Sequence, residues 1–372
     1  MRLALGQMNA TVGDFSGNGE KIEALWREAE AVKADLLLVP EMALCGYPPR
    51  DLLDRPAFQA ESARLLAELT RRSGRTALLA GTFLPNRSRT GKPLYNAAVL
   101  MRNGKASAVG RKCLLPAYDV FDEVRHFEPA ESPTLARLAG RRVGLTICED
   151  LWNDKDFFRA RRLYRDDPGE TLLARGADLI VNVSASPFSE GKPRLRRRML
   201  ARLARDGGVP VAYLNLVGGN DELVFDGGSM VLDGGGRVRA RAALFEEDFV
   251  VVDLDGPRVS PVVGSEPADL PDDADGEPLE SLRRALVLGI RDYARKCGFR
   301  TAVVGLSGGI DSALVCALAV DALGAANVTG LALPSRYSSG GSIADARALA
   351  EGLGVRLDVV PIEPVFAAAR AT

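Results

Sequence analysis

Residues 301–324 read TAVVGLSGGIDSALVCALAVDALG: an apolar run, a turn holding Gly305, Gly308 and Gly309, then an alternation of small and aliphatic residues. An apolar run that breaks into glycines and passes at once into a helical pattern opens a βα unit. The flanks repeat that order. LESLRRALVLGIRDYARKCG (279–298) predicts a helix before it, and NVTGLAL (327–333), SIADARALAEGLG (342–354) and RLDVVPI (356–362) predict a strand, a helix and a strand after it. A βαβαβ order of this kind implies a parallel sheet of the open, doubly wound type. The glycine turn has neither the Gly-Lys ending of the common phosphate loop, because Ile310 and Asp311 stand there, nor the G-x-G-x-x-G of dinucleotide folds.

Ahead of this pattern lies DGPRVSPVVGSEPADLPDDADGEP (255–278), rich in Pro, Asp and Gly and without a sustained apolar period. It reads as an interdomain linker, so the expected division is 1–255, a linker over 256–278, and 279–372. In the first part RLALGQM (2–8), LLLVP (36–40), TALLAG (76–81), NAAVLM (96–101), VGLTIC (143–148), DLIVNV (178–183), VPVAYLNL (209–216), GSMVLD (228–233) and DFVVVDL (248–254) are strand candidates. An amphipathic helix with Ile22, Leu25, Ala29 and Val32 on one stripe follows the first of them. Many strands with helices between them imply a layered α/β domain whose sheets are covered by helices.

Composition narrows the function. The chain has 372 residues, enough for two domains, and is 47% hydrophobic and 26% charged with a formal net charge of -1. That balance gives no long-range attraction for nucleic acid or anionic membrane. The one basic run, KPRLRRRMLARLAR (192–205), places its arginines around Leu195, Met199 and Leu203 at helical spacing and reads as a solvated helix face. No apolar run is long enough to span a membrane and the amino terminus lacks a secretory leader, so a cytoplasmic protein is expected. Five cysteines without a CxxC pair argue against a disulfide framework or a zinc site. With His126 as its single histidine, the chain has little room for histidine-based catalysis.

Three residues at or just after predicted strand ends offer another chemistry. Glu41 follows LLLVP, Lys112 lies in GRKCLLPAYDVFDE, and Cys148 ends VGLTIC. A thiolate attacks a carboxamide or nitrile carbon, a carboxylate takes the thiol proton, and an ammonium stabilises thiolate and oxyanion. Spacing alone leaves the plainer alternative open: a buried small thiol, a helix-start carboxylate and a surface cation. The surrounding segments LVPEMALCGYPPRDLL, GRKCLLPAYDVFDEVRHFEP, GLTICEDLWND and NVSASPFSEGK resemble the signature segments of the nitrilase superfamily, in the form carried by the amidase domain of glutamine-dependent NAD synthetases. The resemblance covers residues 1–255. It implies a four-layer αββα sandwich with Glu41 as general base, Cys148 as nucleophile and Lys112 as the cation beside it. It also places glutamine-binding groups at Tyr47, Tyr118, Phe121, Glu149, Ser186 and Lys192, while His126 receives no role.

SGGIDS resembles the pyrophosphatase loop of enzymes that adenylate a substrate and release pyrophosphate. That resemblance implies ATP on Gly305, Leu306, Ser307, Gly308, Gly309, Ile310, Asp311 and Ser312, with Asp311 holding Mg²⁺, because a carboxylate cannot cradle phosphate without repulsion. LALPSRYSSGGS (331–342) resembles the second nucleotide-side segment of NAD synthetases and adds Pro334 to Ser339. Ammonia sources built on Cys-His pairs would need a histidine partner, and those with an amino-terminal cysteine would need it where Arg2 stands. The implied enzyme is therefore a cytoplasmic, homo-oligomeric ligase that amidates deamido-NAD with glutamine-derived ammonia. Relatives continue past the last residue, which points to a partial synthetase domain. The alternatives are a hydrolytic amidase with an idle synthetase segment, and a nucleotide sensor in which Cys148 is idle.

Overall fold

The structure, a computed structural model, describes residues 1–154, 157–158, 161–255, 260–263 and 278–371. It divides into two compact units, Met1–Pro278 and Leu279–Thr372. The first holds a seven-stranded sheet in the order β15 (Ser260–Val263), β14 (Asp248–Asp253), β1 (Arg2–Gln7), β2 (Leu36–Leu38), β3 (Ala77–Pro85), β4 (Leu94–Arg102) and β5 (Lys105–Arg111). Facing it is a six-stranded sheet in the order β13 (Val238–Arg241), β12 (Met230–Leu232), β9 (Val211–Asn215), β8 (Leu179–Ser184), β7 (Arg141–Ile147) and β6 (Thr134–Leu138). A hairpin, β10 (Val217–Asn220) with β11 (Leu223–Asp226), completes the unit's strands among the described residues.

The period-two alternation of the strands decides which side chains lie between the sheets. Leu3, Leu5, Leu36 and Leu38 from one sheet meet Val143, Leu145, Leu179 and Val181 from the other in one buried cluster. Ala4 and Leu37, one position out of phase, point the other way and pack under α1 (Phe15–Ala31) and α2 (Pro56–Arg72) through Ile22, Trp26, Leu65 and Leu69. Ile180 and Tyr213 do the same on the far side, under Leu172 of α4 (Pro168–Ala174) and Met199 and Leu203 of α5 (Lys192–Gly207). The layers run α-β-β-α, and each fully buried Leu contributes on the order of 2 kcal/mol.

Several elements differ from the sequence expectation. The first helix, expected over GNGEKIEALWREAEAVKAD (17–35), begins at Phe15, because the Asp14 carboxylate accepts from the Gly17 amide at 2.9 Å and caps it. Strands β5, β6, β10, β11 and β13 are too short, polar or glycine-rich to stand out by periodicity. Ser260–Val263, inside the stretch read as linker, pairs with β14; the linker's residues 256–259 and 264–277 lie outside the described residues. The basic run is helical, with Met199 and Leu203 buried and Arg194, Arg198 and Arg205 exposed as expected, but its first turns depart: Arg196 is 1% and Arg197 7% exposed whereas Leu195 is 37% exposed. A buried carboxylate explains the inversion, since Asp226 receives both Nη1 and Nη2 of Arg196 at 3.1 Å.

The second unit has a three-stranded parallel sheet, β16 (Ala302–Gly305), β17 (Val328–Ala332) and β18 (Arg356–Val359), in sequential order. It also holds α6 (Pro278–Lys296), α7 (Ile310–Leu323), α8 (Gly340–Leu353) and α9 (Glu363–Ala371). Sequential parallel strands joined by right-handed crossovers put both connecting helices on one face. Accordingly Cys316 and Ala319 of α7 and Ala346 and Ala350 of α8 share one core with Leu306 and Val328. No helix among the described residues is long and apolar enough to cross a membrane.

Candidate active site

In the first unit β2, β3 and β5 run in one direction and β7 and β8 are parallel to each other, so chain ends gather where these strands finish. Glu41 sits in the turn after β2. Gly81 on β3 lets that turn close in, since a Cβ there would stand 2.3 Å from the Pro40 carbonyl and 2.5 Å from the Glu41 Cα. Lys112 is the residue after β5. Its Nζ donates to Glu41 Oε1 at 2.8 Å and to Glu123 Oε1 at 2.8 Å. Asn96 Nδ2 donates to Glu41 Oε1 at 2.6 Å and Glu123 Oε2 at 3.2 Å, the Ala185 amide to Glu41 Oε2 at 2.8 Å, and Tyr47 Oη to Glu123 Oε1 at 2.9 Å.

Glu41, Lys112 and Glu123 are all buried. Burial opposes the charge on Lys112, but Glu123 and Glu41 outweigh it and hold its pKa well above the ordinary lysine value. Burial likewise pushes the Glu123 carboxyl up while Lys112 pulls it down. Glu123, in the short helix α3 (Glu123–His126), has no role in the sequence reading. It lies inside the segment that supplies Lys112, but a carboxylate eleven residues after a lysine carries no periodic signal.

Cys148 follows β7 with φ of 43°, a left-handed conformation that costs a non-glycine residue roughly 1–3 kcal/mol. The turn is fixed by Asp150, whose Oδ2 accepts from the Ile147 amide at 2.9 Å. Its Oδ1 accepts from the amides of Cys113 at 2.8 Å and Leu114 at 2.9 Å, so one carboxylate ties the Cys148 turn to the segment after Lys112. Burial raises the Cys148 thiol pKa well above the usual thiol range; the Glu41 charge adds to this and Lys112 opposes it. The resting group is a thiol that needs a base to ionise.

Burial also pushes the Asp150 carboxyl from 3.8 to about 7, against the pull of its backbone donors and Lys112. Between roughly pH 4 and 7 the folded chain then binds a proton that the unfolded chain does not, and this group's contribution to stability grows as pH falls through that window. Urea unfolding of wild type and Asp150→Asn at pH 8, 6.5 and 5 is expected to show wild type gaining on the variant toward low pH. A constant difference across the three conditions would contradict it.

Around Cys148 and Glu149 lies a cluster of polar and aromatic side chains. Glu149, 3% exposed, accepts from Tyr118 Oη at 2.8 and 3.0 Å and from Tyr164 Oη at 3.0 Å. Phe121 stacks edge-on against Tyr118 with ring centroids 5.5 Å apart. The Lys192 ammonium lies 5.5 Å from the centre of the Trp152 ring, and burial lowers its pKa. Ser186 is buried, its amide donating to Asn215 Oδ1 at 2.9 Å and its hydroxyl 3.5 Å from Arg196 Nη2. Tyr47 belongs to the Glu123 side, where a separate cavity of about 510 Å³ is bordered by Pro48, Arg50, His126 and Glu222. His126 is itself buried, with Nδ1 3.6 Å from Asp54.

In the second unit the glycine loop closes on its own hydroxyls. Ser307 and Ser312 Oγ are 3.2 Å apart, the Gly309 amide donates to Ser307 Oγ at 3.2 Å, and Ser312 Oγ donates to the Gly309 carbonyl at 2.9 Å. Gly308, at φ of 81°, lies against the start of α8, where a Cβ would stand 2.4 Å from the Ser342 carbonyl oxygen. The side chain of Leu306 is in the core, so only its backbone can meet a ligand; Ile310 and Asp311 at the start of α7 are exposed. Gly305, Ser307, Pro334, Tyr337, Ser338 and Ser339 border a cavity of about 460 Å³. Among the described residues no three His, Cys, Asp or Glu side chains cluster to hold a metal unaided. The Asp311 carboxylate at the start of α7, with the hydroxyls of Ser307 and Ser312 in the same loop, fits a cation that arrives with phosphate ligands of its own.

The carbon-nitrogen hydrolase family matches residues 2–262 and the NAD synthase family residues 282–372. A glutamine-dependent NAD(+) synthetase of Synechocystis sp. is 45% identical over 369 residues, 98% of this chain and 65% of that protein. The solved glutamine-dependent NAD+ synthetase of Acinetobacter baumannii, in complex with ADP, aligns with TM-score 0.86 at 33% identity, over 99% of this chain and 66% of that one. An amidase of the nitrilase superfamily from Nesterenkonia AN1 aligns with TM-score 0.57 at 27% identity, over 68% of this chain and 90% of its own. The chain thus spans about 65% of the length of the first of these relatives.

Proposed function

We propose that this chain, which belongs to the carbon-nitrogen hydrolase family and carries an NAD synthase segment behind it, is a glutamine-hydrolysing NAD+ synthetase. Residues 1–255 would release ammonia from glutamine, and 279–372 would supply the nucleotide side, beyond the stretch 256–278, which reads as a linker apart from the strand Ser260–Val263. The observation that carries the reading is a buried carboxylate–ammonium–carboxylate set, Glu41, Lys112 and Glu123, at the strand ends beside a strained cysteine, in a chain whose other unit bears a hydroxyl-lined glycine loop.

Glutamine enters with its α-ammonium on Glu149 and its α-carboxylate on Lys192, between the rings of Tyr118, Phe121 and Trp152. Glu41 takes the Cys148 proton as sulfur attacks the carboxamide carbon, and Lys112 faces the oxyanion. The same proton passes from Glu41 to the departing nitrogen, ammonia leaves, and a glutamyl thioester remains. Water then gives a proton to Glu41, attacks the thioester and releases glutamate and the thiol. Glu123, fixed by Tyr47 and Asn96, keeps Lys112 charged and aimed.

In the second unit ATP would adenylate the nicotinate carboxylate of deamido-NAD, and ammonia would displace AMP to give NAD+. The amides of Gly308 and Gly309, the hydroxyls of Ser307 and Ser312 and the start of α7 receive the pyrophosphate. Asp311 would hold Mg²⁺, which when bound neutralises phosphate charge. A cytoplasmic homo-oligomer acting on small molecules completes the proposal, in keeping with five unpaired cysteines.

A second reading, a hydrolytic amidase, is favoured by one observation: Glu41, Lys112, Glu123 and Cys148 all come from the first unit. Purified protein given ATP, deamido-NAD and either glutamine or ammonium separates the two. NAD+ from both donors is the expected outcome, whereas glutamate release without NAD+ from either donor leaves the amidase.

A further inference from the structure

We propose that Tyr164 is a specificity-determining residue of the glutamine pocket: its phenol holds one oxygen of Glu149 so that the other is turned to receive the substrate's α-ammonium. This rests on the glutaminase reading above. Tyr118 has one hydroxyl proton to share between Glu149 Oε1 at 2.8 Å and Oε2 at 3.0 Å. Tyr164 Oη adds a second donor at 3.0 Å to Oε1 alone. Oε1 is thereby the target of two phenols and Oε2 of at most a share of one. A carboxylate so buried keeps a strong acceptor in need of a donor, and an ammonium beside the nucleophile supplies it.

The position of Tyr164 is built. Asn153, 1% exposed and five residues after Cys148, donates from Nδ2 to the carbonyls of Tyr164 at 2.9 Å and Asp166 at 2.5 Å. Its Oδ1 accepts from the Tyr164 amide at 3.3 Å, and its own carbonyl accepts from Arg162 Nε at 3.2 Å. The segment carrying the phenol is in this way bolted to the turn that carries the thiol. Tyr164 is only half-buried, and among the described residues no apolar cluster of the unit takes it as a member. Burial and the Glu149 charge push its own ionisation far up, and it stays a donor throughout the working pH range.

The test compares the full-length wild type with Tyr164→Phe on L-glutamine and on glutaramate, which has the same carboxamide and carboxylate but no amino group. Expected in the variant are a KM for glutamine raised about tenfold, kcat within about twofold, and a glutamine-over-glutaramate preference in kcat/KM reduced about tenfold. Carbamidomethylation of Cys148 by iodoacetamide should proceed at the wild-type rate. An unchanged preference overturns the proposal, as does a loss on both amides accompanied by slower thiol alkylation, which would mark Tyr164 as a structural support. A wild type that cleaves neither amide removes the glutaminase reading and this proposal together. One that cleaves glutamine with a preference insensitive to the variant removes this proposal alone.

Discussion

Cys148→Ala is expected to lower glutamate release from glutamine by on the order of 10⁴-fold or more, because no bonded intermediate can then form and the remaining groups supply only binding and charge. The substitution removes one sulfur from a residue 3% exposed and leaves the Asp150 bonds to Ile147, Cys113 and Leu114 in place, so the fold should survive. Ammonium-supported NAD+ formation, drawn from the other unit, should be unaffected. The exposed Cys297, just after α6, serves as the control thiol, and Cys297→Ala should behave as wild type in both assays. Continuous glutamate detection and NAD+ formation from each donor measure these effects. Loss of both donors together in Cys148→Ala would sink the two-site reading, and glutamate release persisting near wild type would place the nucleophile elsewhere.

The strands that build the two-sheet core were legible in the sequence because buried strands carry apolar stretches, LLL in β2, VGL in β7 and LIV in β8. The four-residue strands β10, which carries two glycines, and β11 were not, since they pair with each other as a hairpin rather than filling the core between the sheets. Glu41, Lys112 and Cys148 could be singled out because each follows a strand and their chemistries are complementary. Glu123 and Asn96 could not. What distinguishes them is a shared bond to one ammonium or one carboxylate across 11 and 55 residues of sequence, and separation of that kind leaves no period to read. Arg196 shows the converse failure. Helical spacing assigned its charge to solvent, and only the buried Asp226 on a distant strand could reverse that.

Replacing Lys112 with methionine should be the most costly change to the fold in this site, and its cost should depend on pH in a direction that the geometry fixes. Lys112 is 1% exposed and stands 2.8 Å from each of two carboxylates that are 0% and 5% exposed. Without its charge, the remaining donors are Asn96 to both carboxylates, the Ala185 amide to Glu41 and the Tyr47 hydroxyl to Glu123, all of them neutral, and two buried anions that close cannot both remain ionised. Removing one partner of a buried ion pair costs about 3–5 kcal/mol, and here two partners are stranded. In the variant at least one carboxyl is therefore raised further above its unfolded value of about 4.3, and between that value and the raised one the folded state binds the extra proton. Stability of Lys112→Met should accordingly recover as pH falls from 8 toward 5.5. In wild type the lysine's own contribution is already complete in this range, because its raised pKa lies far above it. Urea unfolding midpoints at pH 8, 7 and 5.5 should show the gap to wild type narrowing by at least about 1 kcal/mol, with glutaminase turnover down by about 10³-fold at every pH. A gap that stays constant with pH would mean that the two carboxylates do not depend on Lys112 for their charge, and the assignment of Lys112 as the cation that organises the site would fall with it.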